Sequence, residues 1–428
     1  MDSNKAKADI FGNPIDPVVG FARGMIIKSS TEEALRLRNG QLVAAQRVKK
    51  FGPQSISVFT GNQRDFPLKV EDLNTNCEEW VGPGLFAEEL RQVAIDHMGG
   101  RADDAVAVFN RTSAGIIATI AALSGGRPVI SVVPPKGRSH ASVIRGCSIA
   151  GVNLIEVQGD QDWKNPILDA HPALVVVTTV TSSLEFLSDA IAIEVASFAK
   201  QNSATVFIDE AYGARMRPVL KGGVKSLALG GDLAITNCDK AGLSGPRAGV
   251  LVGRTVLVTR ALGKGSEFGM EARAPIAASA LRSLERYTPA DLQEESASGI
   301  ALGKACQAKL GADIVEVSDL GPMIDECVAF KEIFRRAGKD IATSKLVPCE
   351  LTSAVGVVLL RDHGILTVNT HGQPGARVSV RLKPTHGAVQ RAGGIDAVVN
   401  ALDSALNEVA KHVSNPDQIS RLILGEGK

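Results

Sequence analysis

Beyond residue 104 the chain alternates short, continuous apolar runs with stretches of helical spacing. The runs are 105–109, 128–133, 153–157, 174–178, 205–208, 233–236 and 249–252. They are unbroken rather than alternating with polar residues, as expected of strands covered on both faces. Helical spacing over 114–123, 139–150, 163–168 and 190–201 separates the first five runs. This rhythm predicts an α/β domain with a mostly parallel sheet and helices on both sides. Only a Gly-rich loop lies between Thr236 and Gly249. That is too short for a parallel crossover, so the last two strands are expected to be antiparallel or non-adjacent.

Upstream, residues 31–50 and 88–98 have helical apolar spacing. Downstream, a long helix is expected from about Ala290, then strands over 314–317, 355–361, 365–368 and 377–382 and a closing helix over 395–413. The pattern divides the chain into an N-terminal segment (1–80), a large α/β domain (81–290) and a smaller C-terminal α+β domain (291–428).

The composition narrows the class. With 47 Lys+Arg against 46 Asp+Glu in 428 residues, the net charge is +1, which disfavours nucleic acid as the main partner. Six single cysteines without a C-x-x-C pair fit a reducing compartment better than a disulfide framework. The seven histidines show no metal-ligand spacing, so no metal site is expected. No apolar run reaches the ~20 residues of a membrane span, and no signal peptide is evident. A cytoplasmic, globular protein is the expectation. No G-x-G-x-x-G opens a helix after a strand, and Gly263-Lys264 lacks the P-loop glycine spacing.

Candidate chemistry gathers at the predicted C-terminal ends of the strands, where open α/β sheets bind ligands. Asn110-Arg111-Thr112-Ser113-Ala114-Gly115 places two hydroxyls where a helix begins, suited to an anion. Ser139-His140-Ala141-Ser142 opens the next helix with an imidazole. Asp209, in Ile208-Asp209-Glu210-Ala211-Tyr212-Gly213, ends a buried strand, where a carboxylate needs a cationic partner or donor. Lys240 follows Thr236-Asn237-Cys238-Asp239 and precedes Gly245-Pro246-Arg247. A lysine there can form a Schiff base if its pKa is depressed. Each feature has a plain competing reading: a helix cap for Thr112 and Ser113, a cap or salt bridge for Asp209, a surface lysine for Lys240, and a capping or exposed histidine for His140. Their order along one sheet is what a pyridoxal phosphate site requires.

On these motifs the chain resembles the fold-type I pyridoxal-phosphate-dependent enzymes, and among them the selenocysteine-synthase-like (seryl-tRNA selenium transferase-related) group. The resemblance is carried by residues 80–290 and is weaker beyond. It implies a fold-type I transferase architecture: a seven-stranded, mostly parallel sheet with helices on both faces, and a smaller C-terminal α+β domain. It also implies Lys240 as the Schiff-base lysine, Asp209 on the pyridine nitrogen, His140 stacked on the ring and Ala211 beneath it. Thr112, Ser113 and Ala114 would meet the phosphate, with Thr236 as a further candidate, and Thr181 would reach the ring hydroxyl. For the substrate, Arg377 is the first candidate for a carboxylate; strand period places it on one face with Ser379 and Arg381. Arg381, Tyr212 and Arg111 are the other substrate candidates.

The group's N-terminal tRNA-binding region has no clear match in the first 80 residues. The expected function is therefore Cα-carbanion chemistry on a small amino acid or amino-sugar-type substrate, by β-elimination or β-replacement, in a lyase or transferase. An aminotransferase, or a selenium transferase-like protein acting on aminoacyl-tRNA, is the alternative. The resemblance further implies a homodimer or higher homo-oligomer, with residues 263–273 as candidate cross-subunit contacts.

Overall fold

The computed structural model describes residues 7–426. The chain forms two compact units, one of residues 63–293 and one that joins the residues up to Asn62 with those from Glu294 onward.

The 63–293 unit is built on a seven-stranded sheet. Its strands are β1 (Asp104–Phe109), β2 (Val129–Val133), β3 (Leu154–Gln158), β4 (Leu174–Thr178), β5 (Thr205–Asp209), β6 (Leu233–Asn237) and β7 (Gly249–Arg254). The order across the sheet is β1-β7-β6-β5-β4-β2-β3. β7 alone runs antiparallel to its neighbours, β1 and β6; the other pairs are parallel. Phe109, Thr178, Asp209 and Asn237 therefore all end their strands at one edge.

Helices α1 (Gly82–Met98), α2 (Thr112–Leu123), α3 (Ala141–Ala150), α4 (Lys164–Ala170), α5 (Asp189–Gln201), α6 (Gly213–Lys221), α7 (Thr255–Glu267) and α8 (Ala274–Arg286) complete the unit. The strands' two-residue period sorts their side chains into two cores. Phe207, Val176, Ile235 and Leu251 pack with α2, α3 and α7, through residues such as Ile116, Ile120, Val143 and Val258. Val206, Ile208, Val175 and Val177 point the other way, into a core shared with Phe86, Leu90, Val195 and Leu281 of α1, α5 and α8. Both faces are thus buried, which explains the unbroken apolar runs. Each fully buried Val or Ile stabilises by roughly 1.5–3 kcal/mol.

In the other unit, Ser57–Val58 pairs in parallel with Ile365–Leu366. A three-stranded antiparallel sheet runs in the order Val380–Arg381, Gly321–Ile324, Glu316–Ser318. Helices Ser30–Phe51, Glu326–Ala337, Pro348–His363, Ile395–Ala410 and Pro416–Leu424 surround a core that includes Phe330, Leu351, Val355, Leu402 and Ile423.

Three expectations are corrected here. The predicted strand 355–361 lies inside the helix Pro348–His363. Its apolar run is continuous because the helix is buried all round, and such a run does not distinguish strand from helix. Pro348 at the first turn and Gly364 as a left-handed C-cap (φ 69°) are the helical signals. The predicted strand 377–382 shortens to Val380–Arg381. Residues 7–62 are not a separate segment: the Glu350 carboxylate accepts the backbone N–H groups of Ile26 (2.6 Å) and Ile27 (3.1 Å), and Arg36 donates to the Gly372 carbonyl (2.8 Å). Contacts between residues more than 300 positions apart leave no periodic trace in the sequence.

Candidate active site

The site is assembled at the edge where β1, β4, β5 and β6 end. Arg111 leaves β1 in an extended conformation (φ −160°, ψ 153°) and α2 starts at Thr112 with no side-chain cap and no acidic residue in its first turn. Its leading N–H groups and positive dipole end are therefore available to an anion. Gly249, which pairs with Phe109, brings the β7 backbone against this helix start. A Cβ at Gly249 would lie 2.6 Å from Thr112 Cα and 2.8 Å from Thr112 N, so only glycine allows the approach.

His140 caps α3. Its Nδ1 accepts the Ser142 N–H (3.2 Å) and meets Ser142 Oγ at 2.7 Å, which leaves the ring proton on Nε2. Burial, with Lys240, Arg111, Arg145 and Arg138 nearby, pushes its pKa down to about 3. The imidazole is neutral at physiological pH.

Asp209 ends β5 fully enclosed, 3% exposed. Among the described residues its carboxylate makes one hydrogen bond, accepted from Ala211 N–H at 3.3 Å. Burial raises its pKa to about 6; the Ala211 N–H and Lys240 oppose the rise, and Glu210 adds to it. Its neighbour Glu210 is the better-satisfied acid. It accepts Arg217 Nε (3.1 Å) on Oε1, Arg217 Nη2 (3.0 Å) and Ser226 Oγ (2.9 Å) on Oε2, and the Thr179 hydroxyl. Arg217 is held in turn by Asp189 (2.7 Å). Two adjacent acids thus have opposite environments, one saturated and one short of a donor.

Lys240 follows β6 in the turn that begins at Asn237. Its Nζ makes no hydrogen bond among the described residues and lies 4.7 Å from the Tyr212 ring centroid. Burial lowers its pKa to about 8; Asp239 and Asp209 counter this, while Arg247 and Arg64 reinforce it. Asp239 is engaged by Arg64 at 3.1 Å, and its carbonyl accepts the Gln63 N–H at 3.0 Å. Arg247, in the Gly-Pro-Arg loop, has its pKa lowered to about 10 by burial and by the charges of Arg64 and Arg111. Arg111 is likewise lowered by burial and by Arg64 and Arg145.

Lys240, Asp209, His140, Arg111 and Tyr212 are therefore brought together as one electrostatically coupled group. Two hydroxyls differ from expectation. Thr236 donates to the Glu210 carbonyl (3.1 Å) and accepts from Arg215 (2.9 Å), so its proton is committed inside the wall. Thr181 donates to Glu185 (2.6 Å) while accepting the N–H groups of Ser183 and Glu185 (3.2 Å each), which fixes it in its own turn. Arg377 and Arg381 belong to the other unit, where both act on the buried Glu326. Sequence reasoning gave no role to Arg64, Glu210 or Arg215. Arg247 carried a signal, its place in the glycine-rich loop after Lys240, but that motif was used only for the resemblance.

A sheet with this strand order, an uncapped helix after its first strand, a buried aspartate and a lysine at strand ends define a fold-type I pyridoxal phosphate protein. The chain belongs to the UPF0425 family of pyridoxal phosphate-dependent proteins. It is 31% identical over 402 residues to a member from Methanothermobacter thermautotrophicus, covering 94% of this chain and 100% of that protein. It is 30% identical over 377 residues to one from Methanococcus maripaludis, covering 86% and 98%. Pyridoxal phosphate, for which these relatives are named, is the cofactor. No protein-family model matches the chain. Solved structures of the same fold include a complex of SepCysS with the SepCysE N-terminal domain (TM-score 0.56, 13% identity, 85% of this chain and 98% of that one). Another is ureidoglycine-glyoxylate aminotransferase from Bacillus subtilis (TM-score 0.53, 13% identity, 83% and 96%). At such identity the likeness is one of fold alone.

The residues present fit the cofactor. The under-donated, buried Asp209 carboxylate suits a protonated pyridine nitrogen, and the uncapped α2 start with Arg247 suits a phosphate. Among the described residues, Lys240 has an amine with no hydrogen-bond partner to commit it elsewhere.

Proposed function

We propose that this chain is an enzyme that withdraws a proton from Cα of a small amino compound and expels a β-substituent, by β-elimination or β-replacement. The observation that carries the reading is the pairing of a depressed Lys240 amine with the buried, under-donated Asp209. Pyridoxal phosphate, when bound, supplies the sink for the electron pair left at Cα.

The chain's own residues do the rest. When the cofactor is bound, Thr112, Ser113, Ala114 and the N–H groups at the α2 start, with Arg247, would hold its phosphate. Asp209 would keep a proton at the pyridine nitrogen. His140, neutral and fixed by Ser142, would meet the ring, with Ala211 as a further contact. Lys240, with a pKa of about 8, has an appreciable neutral fraction near pH 7, so its Nζ can accept the Cα proton and later return it. Tyr212 beside Nζ stabilises the ammonium form through its ring face. The leaving group departs from Cβ with the bonding pair, and elimination ends in a 2-keto acid and ammonia after hydrolysis.

Arg64, Arg111, Arg138, Arg145 and Arg247 surround this centre, which favours an anionic substrate over a neutral one. Arg111 is the candidate within this unit to receive it, and Arg377 and Arg381 are the further candidates. The resemblance to the selenocysteine-synthase-like group, a cytoplasmic location and homo-oligomeric assembly belong to the same proposal. None of the described helices is long and apolar enough to cross a membrane.

Product analysis tests the reaction. Holoprotein incubated with serine or O-phosphoserine should release keto acid and ammonia without any keto-acid co-substrate, with the phosphorylated compound favoured. Product formation that requires a keto-acid acceptor would instead make the protein an aminotransferase.

A further inference from the structure

Arg215 on α6 is 1% exposed, yet it makes no ion pair among the described residues. All its hydrogen bonds go to neutral acceptors. Nε is shared between the carbonyls of Lys240 (3.2 Å) and Ala241 (3.1 Å). Nη1 donates to Thr236 Oγ1 (2.9 Å) and meets His97 Nε2 at 3.2 Å, and Nη2 donates to Asn237 Oδ1 (2.8 Å). A buried charge with no carboxylate in contact, only Asp239 and Glu210 acting from further off, is costly, so a guanidinium kept in such a place calls for a reason beyond packing.

The acceptors supply one. Thr236 and Asn237 end β6, and Lys240 and Ala241 form the turn beyond it, so one side chain spans the whole path from strand end to lysine. That path is strained. Ala241 has φ 52°, a left-handed conformation unfavourable for a non-glycine residue. The Asn237 amide is held at its other end by the Ala211 carbonyl, just beyond Asp209. His97 on α1 backs the guanidinium. It is half-buried, with Tyr287 edge-on at 5.1 Å; burial, Arg215 and Lys225 hold its pKa down, and because a guanidinium only donates, its Nε2 is the acceptor. A lysine or methionine at position 215 could not reach this fan of acceptors at once.

We propose that Arg215, seated on His97, is the positioning residue of the site: it holds the strained 236–241 turn so that the Lys240 amine faces the cofactor. This rests on the assignment of Lys240 as the cofactor-bearing lysine. Arg215 touches neither cofactor nor substrate and acts only through the turn.

The test separates cofactor binding from its attachment. Wild type, Arg215→Met, Arg215→Lys and His97→Leu are saturated with pyridoxal phosphate, reduced with borohydride and digested, and the fraction of Lys240 carrying the cofactor is measured by mass spectrometry. Total bound cofactor is measured separately on unreduced protein. Arg282→Met, which breaks the Asp72–Arg282 ion pair and removes no side chain that bonds the turn, serves as the control for lost stability. Arg215→Met should retain bound cofactor but lose attachment about tenfold or more, as expected when a reacting group is misplaced. His97→Leu should lose attachment to a lesser degree, Arg215→Lys should not rescue it, and the control should lower only the unfolding temperature. If Arg215→Met fails to fold, His97→Leu decides. Attachment equal to wild type in the folded variants overturns the proposal. Absence of attachment at Lys240 in the wild type instead overturns the underlying assignment.

Discussion

At the scale of single residues, the chemistry rests on two groups moved toward each other in pKa by the same cause. Burial raises Asp209 to about 6 and lowers Lys240 to about 8, so both sit near the pH at which they must work. For Asp209 the stability consequence has a definite sign. Its folded pKa lies above the unfolded value of 3.8, so between these two pH values the folded state binds more protons, and stability falls as pH rises toward about 6. Asp209→Asn should therefore raise the unfolding temperature of the cofactor-free protein above pH 6 and have no such effect below about pH 4. A shift of this size corresponds to roughly 3 kcal/mol at most. Thermal melts across that range check it; an unchanged difference between variant and wild type at all pH values contradicts the burial argument. The positions of Asp209, which ends β5, and Lys240, three residues beyond β6, were legible in the sequence because the apolar runs mark where those strands stop. Arg215 was not, since a helical arginine reads as solvent-facing until the turn it grips is seen.

At the scale of elements, the sheet was readable and the second unit was not. All seven strands of the sheet fall within two residues of their expected ends, because strands buried on both faces write continuous Val/Ile/Leu runs. The shortness of its connection excluded a parallel β7 beside β6 and left it antiparallel or non-adjacent; it is antiparallel. The same logic misread the helix Pro348–His363, where burial on every side removes the polar stripe that marks most helices. The place of residues 7–62 was hidden too, since carboxylate-to-backbone bonds from Glu350 have no sequence period. The contact of β7 with the start of α2 gives a prediction at this scale. Gly249→Ala should displace the helix start by the room its Cβ needs, weakening cofactor binding by about tenfold while Lys240 and Asp209 are untouched. Equilibrium titration with pyridoxal phosphate measures this, and wild-type affinity in a folded variant would refute it.

At the scale of the whole molecule, a net charge of +1 conceals a local excess. Arg64 and Arg247 act on Lys240, and Arg111, Arg138 and Arg145 on His140, so the neutral total says nothing about the site. A cluster local to the ends of a few strands favours a small anion rather than a nucleic-acid backbone, which needs a charged track. Filter binding with bulk tRNA should accordingly show no retention that rises steeply as salt is lowered. The central claim is that Lys240 binds pyridoxal phosphate covalently, and visible absorbance spectra of the folded protein titrated with the cofactor test it most directly. The wild type should develop the visible band of a lysine-bound cofactor and Lys240→Ala should not; a folded wild type without the band, or a variant that keeps it, contradicts the account.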